Sequence, residues 1–144
     1  HELVVAACQD NNNFEPSRME LDRAGPSYTV ETLETLATQY PENVRLNLII
    51  GEDNLPFLGQ WKGADHIFKV CRILVAPRVK QPVHVGAPTE EKRPPADADI
   101  QRLEIPQMPV SSSEIRKRLR EGRSVLYMVP MPVDKILHEK GLYL

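Results

Sequence analysis

Residues 46–53 read Leu46-Asn47-Leu48-Ile49-Ile50-Gly51-Glu52-Asp53, and residues 72–77 read Arg72-Ile73-Leu74-Val75-Ala76-Pro77. Both are short apolar runs closed by a breaker, and both predict buried strands. Between them, residues 53–70 suit one or two short helices around Trp61. Upstream, the loop Gly25-Pro26-Ser27 feeds a helix whose apolar face is Leu33, Leu36, Ala37 and Tyr40, stopped by Pro41. Further upstream, residues 1–9 place Leu3, Val4, Ala7 and Cys8 near helical spacing, and Asp10 to Asn13 end that run. Pro16 reduces the segment from Phe14 to Leu21 to an edge strand or an irregular extension.

Downstream of the second run, residues 78–100 set Pro82, Pro88, Pro94 and Pro95 among charges, which predicts a Pro-rich mobile loop. A short strand is expected at Leu103-Glu104-Ile105. A helix then opens at Ser111 to Ser113, buries Ile115 and Leu119, and stops at Gly122. The tail, Val133 to Leu144, reads as an amphipathic helix with Ile136 and Leu137 inward and Gly141 at its C-terminal end. This alternation of helices and strands predicts an α/β layer structure with a mostly parallel sheet flanked by helices. Ligands of such sheets bind beyond the carboxyl ends of the strands. The loops after Ile50 and Ala76, and the one before Ser111, are therefore where chemistry is expected.

The 144 residues suit one domain, and 41% hydrophobic with 26% charged residues is ordinary for a globular protein. A net charge of -2 argues against a dedicated nucleic-acid or membrane-surface protein. No stretch approaches the roughly 20 apolar residues of a membrane span and no signal peptide opens the chain, so a cytoplasmic protein is expected. Cys8 and Cys71 are too few and too far apart for a disulfide framework or a zinc site. His1, His66, His84 and His138 share no close spacing, and no protein-held metal is expected.

Four places carry candidate chemistry. Gly51 lets a ligand approach the backbone, and Asp53 two residues on is placed either to accept ribose hydroxyls or to cap a helix. Ser111-Ser112-Ser113-Glu114-Ile115-Arg116 is a capping box, with Ser111 as cap and Glu114 reaching back. The same helix tip offers free N–H groups, hydroxyls and a guanidinium one turn on, a set suited to polyphosphate. Trp61 is either a core residue or a face on which a planar heterocycle stacks. The turn Ser27-Tyr28-Thr29 either caps a helix or holds an anionic group. The basic run Arg116, Lys117, Arg118, Arg120 and Arg123 is spread around its helix, so at most two or three point one way.

In order along the chain, these pieces resemble the bacterial nicotinate mononucleotide adenylyltransferases. The resemblance rests on Gly25-Pro26-Ser27-Tyr28-Thr29, Ile49-Ile50-Gly51-Glu52-Asp53-Asn54-Leu55, Trp61 and Ala76-Pro77-Arg78. It continues through Ser111-Ser112-Ser113-Glu114-Ile115-Arg116 and the ending from Tyr127-Met128-Val129-Pro130 to Gly141-Leu142-Tyr143. It implies a Rossmann-like nucleotidyltransferase fold and adenylyl transfer from ATP to nicotinate mononucleotide, giving nicotinate adenine dinucleotide and pyrophosphate in NAD biosynthesis. It also implies magnesium held mainly by the ATP phosphates. By position, Gly51 and Asp53 would serve the nucleotide and its ribose, and Ser111, Ser113 and Arg116 the triphosphate, with Arg116 in the catalytic role. Trp61 would stack on the pyridine ring. Thr29 and the N–H of Lys62 would receive its carboxylate.

Two departures stand out. The position after the tryptophan, often aromatic or His in that family, is Lys62, whose ammonium is expected to assist the carboxylate. The family's opening Gly-x-Phe-x-Pro-x-His-x-Gly-His pattern does not occur in these residues. The expectation is therefore a C-terminal two-thirds of a longer domain, lacking the first strands and nearly inactive by itself. Two rival readings are a pantetheine-phosphate adenylyltransferase or cytidylyltransferase on the same fold, and a non-catalytic nucleotide- or nucleic-acid-binding module.

Overall fold

A computed structural model describes residues 1–78 and 94–144. Its elements in chain order are α1 (Glu2–Cys8), α2 (Thr29–Gln39), β1 (Leu46–Gly51), a 3₁₀ turn (Leu55–Gln60), α3 (Ala64–Val70), β2 (Cys71–Ala76), β3 (Ile100–Arg102), α4 (Ser112–Arg120) and α5 (Met131–Glu139). They pack as two compact units, Arg23–Pro109 and His1–Asp22 with Val110–Leu144.

The first unit is built on a parallel sheet in the order β1-β2-β3. Leu46 pairs with Cys71 and Gly51 with Ala76, so β1 and β2 end level at their carboxyl ends. Ile73, Leu74 and Val75 pair with Ile100, Gln101 and Arg102. The third strand thus lies three residues earlier than Leu103 to Ile105, the position expected from apolar content. Asp99 accounts for the shift. Its carboxylate is held by both Arg45 and Arg72, and its carbonyl accepts from the Ile73 N–H at 2.9 Å. Only the Leu103 N–H, bonded to the Val75 carbonyl, continues the ladder.

Alternation along β2 buries Cys71, Ile73 and Val75 against Val30 and Leu33 of α2, Leu58 of the 3₁₀ turn and Ile67 of α3. Each fully buried aliphatic side chain contributes about 1.5–3 kcal/mol. The helices of this unit cover one face, so β1 is not buried throughout: Ile50 is in the core while Ile49 is 64% exposed. The buried face of α2 also differs from the expected one. It is Val30 and Leu33, with Ala37 and Tyr40 exposed, because Val30 meets Gly63 at the start of α3. Gly63 has φ +67, and a Cβ there would come within 2.8 Å of Val30 Cγ2.

The second unit packs α1, α4 and α5 around Ala6, Leu119, Val125, Val133 and Leu137. The segment from Phe14 to Leu21 forms turns and irregular chain rather than a strand. Gly122 (φ +64) and Gly141 (φ +58) follow α4 and α5 in the left-handed conformation, as their sequence positions predict. The tail helix starts two residues before Val133, and Pro130 precedes it.

Ser111 caps α4, its Oγ accepting from the Glu114 N–H at 3.2 Å. The reciprocal half of the capping box does not form. Glu114 is drawn to Arg118 Nε at 3.2 Å and Arg123 at 3.6 Å, two cations that outcompete one neutral N–H. The cap therefore rests on Ser111 alone. Ser111→Ala is expected to lower stability by about 1 kcal/mol in denaturant unfolding. Exposed Ser112→Ala should stay within about 0.5 kcal/mol.

Candidate active site

The level carboxyl ends of β1 and β2 bring together Gly51, Asp53 and Arg78. Asp53 Oδ2 lies 2.7 Å from Arg78 Nη1. The Glu52 N–H bonds to the Ala76 carbonyl at 2.9 Å, extending the ladder past the strand and turning the chain over the sheet edge. Asp53 folds back so closely on Gly51 that a Cβ there would collide with its Oδ1. The absence of a side chain at residue 51 is what makes room for the carboxylate. Beside this pair Glu52 binds Arg102 at 2.5 Å, so both acidic residues after β1 have arginine partners. From sequence alone Arg78 is assigned no role, although its place just past the end of β2 is a signal for one.

The Thr29 turn and the Trp61 turn meet through their neighbours. Lys62 Nζ is 2.8 Å from Glu31 Oε1 in the first turn of α2, and 3.9 Å from the centre of the Tyr28 ring. Trp61 is half-buried and packs against the core of the sheet unit. Part of the ring serves the core and part stays open to solvent. The hydrogen bond between Lys62 and Glu31 holds the Glu31 carboxyl below its ordinary range and raises the ammonium above its own. The pair is thus intact across neutral pH. It weakens in acid as Glu31 takes up a proton, and in strong alkali as Lys62 loses one.

Ser111, Ser113 and Arg116 belong to the other unit, on the first turns of α4. The N-terminal N–H groups of a helix have no intrahelical acceptors, and here only that of Glu114 is taken by the Ser111 hydroxyl. Ser113 and Arg116 are three residues apart and share a face. Within the basic run, Arg118 and Arg123 are tied to Glu114. Arg116 is half-buried and forms no ion pair among the described residues. Asp53 is the ribose candidate in the sheet unit, and Arg116 is the phosphate candidate in the helical one.

A surface cavity of about 260 Å³ lies at the opposite ends of the strands, lined by Asn43, Arg45, Lys69, Val70 and Cys71 among others. Parallel sheets bind ligands at their carboxyl ends, so this cavity is not the candidate site. Burial raises the Cys71 thiol above its usual range, which leaves it a packing residue. Among the described residues no group of three or more His, Cys, Asp or Glu could hold a metal ion. No described helix is long and apolar enough to cross a membrane. The loop expected at 78–100 falls largely on residues 79–93, which lie outside the described residues.

No family model matches the chain. It is 34% identical over 141 residues to a probable nicotinate-nucleotide adenylyltransferase of Dehalococcoides mccartyi, covering 98% of this chain and 69% of that protein. The chain belongs to the nicotinate-nucleotide adenylyltransferase family. A member of that family from Thermus thermophilus is 36% identical over 143 residues, covering 99% of this chain and 71% of its own length. Another from Exiguobacterium sibiricum is 34% identical over 142 residues, covering 99% and 70%. Among solved structures, the nicotinic acid mononucleotide adenylyltransferase of Plasmodium falciparum complexed with APC matches with a TM-score of 0.58 at 18% identity. That match covers 83% of this chain and 60% of the other, and shows the shared fold. The α/β architecture with a parallel sheet expected from the strand pattern is thus present, and the Rossmann-like fold implied by the resemblance is the one shared with this structure.

Proposed function

We propose that this protein joins ATP and nicotinate mononucleotide into nicotinate adenine dinucleotide, releasing pyrophosphate, as a cytoplasmic step of NAD biosynthesis. The observation that supports the reading most is one-third identity across nearly the whole chain to proteins named for that activity. The same likeness weighs against the pantetheine-phosphate and cytidylyl alternatives and against a non-catalytic module.

In this reading a 5′-phosphate oxygen of nicotinate mononucleotide attacks the α-phosphorus of ATP. The bond from that phosphorus to the bridging oxygen breaks, and the electron pair leaves with pyrophosphate. No covalent enzyme intermediate is needed. The chain's part is positioning and charge stabilisation. Ser111, Ser113 and Arg116 hold the triphosphate, Arg116 meeting charge as it develops. The hydroxyls and guanidinium suit phosphate oxygens rather than a cation, so magnesium would be held mainly by the phosphates and would offset their charge. Asp53 accepts the ribose hydroxyls beside the Gly51 backbone, exchanging its present partner Arg78. That exchange is cheap, because an exposed ion pair contributes roughly 0–1 kcal/mol.

Trp61 stacks on the pyridine ring, and the N–H groups at Thr29 and Lys62 receive its carboxylate. Donors at both places favour the acid over the amide, whose NH₂ would face them unpaired. Trp61 is the only tryptophan in the 144 residues, and the part of the protein's fluorescence that Trp61→Phe removes reports this subsite. Nicotinate mononucleotide should quench it in the full-length gene product and 4′-phosphopantetheine should not. Equal responses to the two, or none to either, would remove the pyridine from the reading.

A further inference from the structure

The expected role of Lys62 was to lend its ammonium to the substrate carboxylate, but its geometry directs that charge elsewhere. Lys62 Nζ is hydrogen-bonded to Glu31 at 2.8 Å and rests 3.9 Å from the centre of the Tyr28 ring. Glu31 is itself steadied by Arg23, at 3.6 Å, and Arg23 donates to the Thr32 hydroxyl at 3.3 Å. Tyr28, Glu31 and Thr32 all belong to the start of α2 around Thr29. Lys62 directly follows Trp61 on a separate turn. The contact therefore joins the two chain segments that carry the pyridine subsite, 31 residues apart in sequence.

A carboxylate shared between N–H donors on two segments needs their separation held to within a fraction of an ångström. The packing of Gly63 against Val30 brings the segments close, but methyl contacts are non-directional. The ion pair adds a directed tie on the same seam. We propose that Lys62 and Glu31 form a strut that sets the spacing between the Thr29 and Trp61 halves of the pyridine subsite, making Lys62 a positioning residue whose charge serves Glu31. This rests on the nicotinate mononucleotide reading above.

The test is a mutant cycle in the full-length gene product, using Lys62→Met, Glu31→Gln, the two together, and the exchanged pair Lys62→Glu with Glu31→Lys. Calorimetry reads the Kd for nicotinate mononucleotide, and denaturant unfolding confirms that each variant folds. Each single change should weaken binding about two- to fivefold, the span of an exposed ion pair. The double variant should be no worse than either single. The exchanged pair should return to within about twofold of the parent. A charge acting directly on the substrate predicts the reverse: Glu31→Gln leaves binding intact or tightens it, and the exchanged pair is weakest. That pattern overturns the strut, as do four variants that all bind like the parent. A parent protein that binds no nicotinate mononucleotide instead removes the functional reading, and the strut with it.

Discussion

Arg116→Ala is expected to lower kcat by about 10²–10³ while the protein stays folded, the loss typical of one donor aimed at transition-state charge. The expectation follows from what the basic helix does with its other cations. Arg118 and Arg123 hold Glu114, within 3.2 and 3.6 Å, so their guanidinium groups are engaged in fastening the end of the helix. Arg116 is half-buried on the face of Ser113 and has no ion-pair partner among the described residues. With no ion pair to lose among the described residues, its guanidinium is available to an incoming phosphate and contributes little to the fold. Its removal should therefore leave stability nearly unchanged and fall on turnover, with kcat and kcat/KM dropping together. Exposed Arg120→Ala, on the same helix, is the control and should change rate by no more than about twofold. Equal losses at Arg116 and Arg120 would mean that the helix supplies only a diffuse positive field. Arg116→Lys should recover part of the rate, since charge returns without the planar fork.

The second large effect is structural. Gly63→Ala should destabilise the protein by about 2–5 kcal/mol. A left-handed backbone costs an L-residue about 1–2 kcal/mol. The new Cβ would also lie 2.8 Å from Val30 Cγ2 and 3.1 Å from two further Val30 carbons, an overpacking that costs about 1–3 kcal/mol. Gly122→Ala separates the two contributions. Its φ of +64 is nearly the same, yet among the described residues nothing crowds its would-be Cβ within 4 Å, so only the backbone part should appear. Denaturant midpoints for the two variants should therefore differ clearly. If they coincide, the contact between α2 and α3 is softer than its distances imply. Gly63→Ala with Val30→Ala should recover the overpacking part, because the clash is with those methyl groups.

The sheet was the most legible part of the sequence, because a short apolar run closed by Gly or Pro has few other fates. Residues 46–51 and 71–76 became neighbouring parallel strands. Caps and stops were legible for the same local reason: Ser111, Gly122 and Gly141 act within their own turns. Errors came where distant partners decide. The period of α2 allows more than one apolar face, and Val30 was chosen by Gly63, which sequence spacing does not reveal. Glu114 had two possible bonds, and Arg118 with Arg123 outbid its own helix N-terminus. The third strand was set by Asp99 bridging Arg45 and Arg72 rather than by its own apolar residues.

The candidate site divides the same way. Gly51 and Asp53 were read from a strand end, and the structure supplies the reason they occur together, since the carboxylate occupies the space a Cβ would fill. The partners Arg78 and Glu31 were missed because ion pairs spanning 25 and 31 residues leave no periodic trace. Both pairings involve residues assigned to ligands. In the proposed reading, Asp53 would exchange Arg78 for a ribose, and Glu31 would take the charge of Lys62 away from the substrate.

The most direct measurement is product analysis of the full-length gene product incubated with ATP and nicotinate mononucleotide, following dinucleotide and pyrophosphate together by mass spectrometry. Equimolar nicotinate adenine dinucleotide and pyrophosphate, formed only when both substrates are present, is the predicted result. ATP cleavage without a joined dinucleotide, or adenylylation of 4′-phosphopantetheine in place of the pyridine nucleotide, would contradict the account.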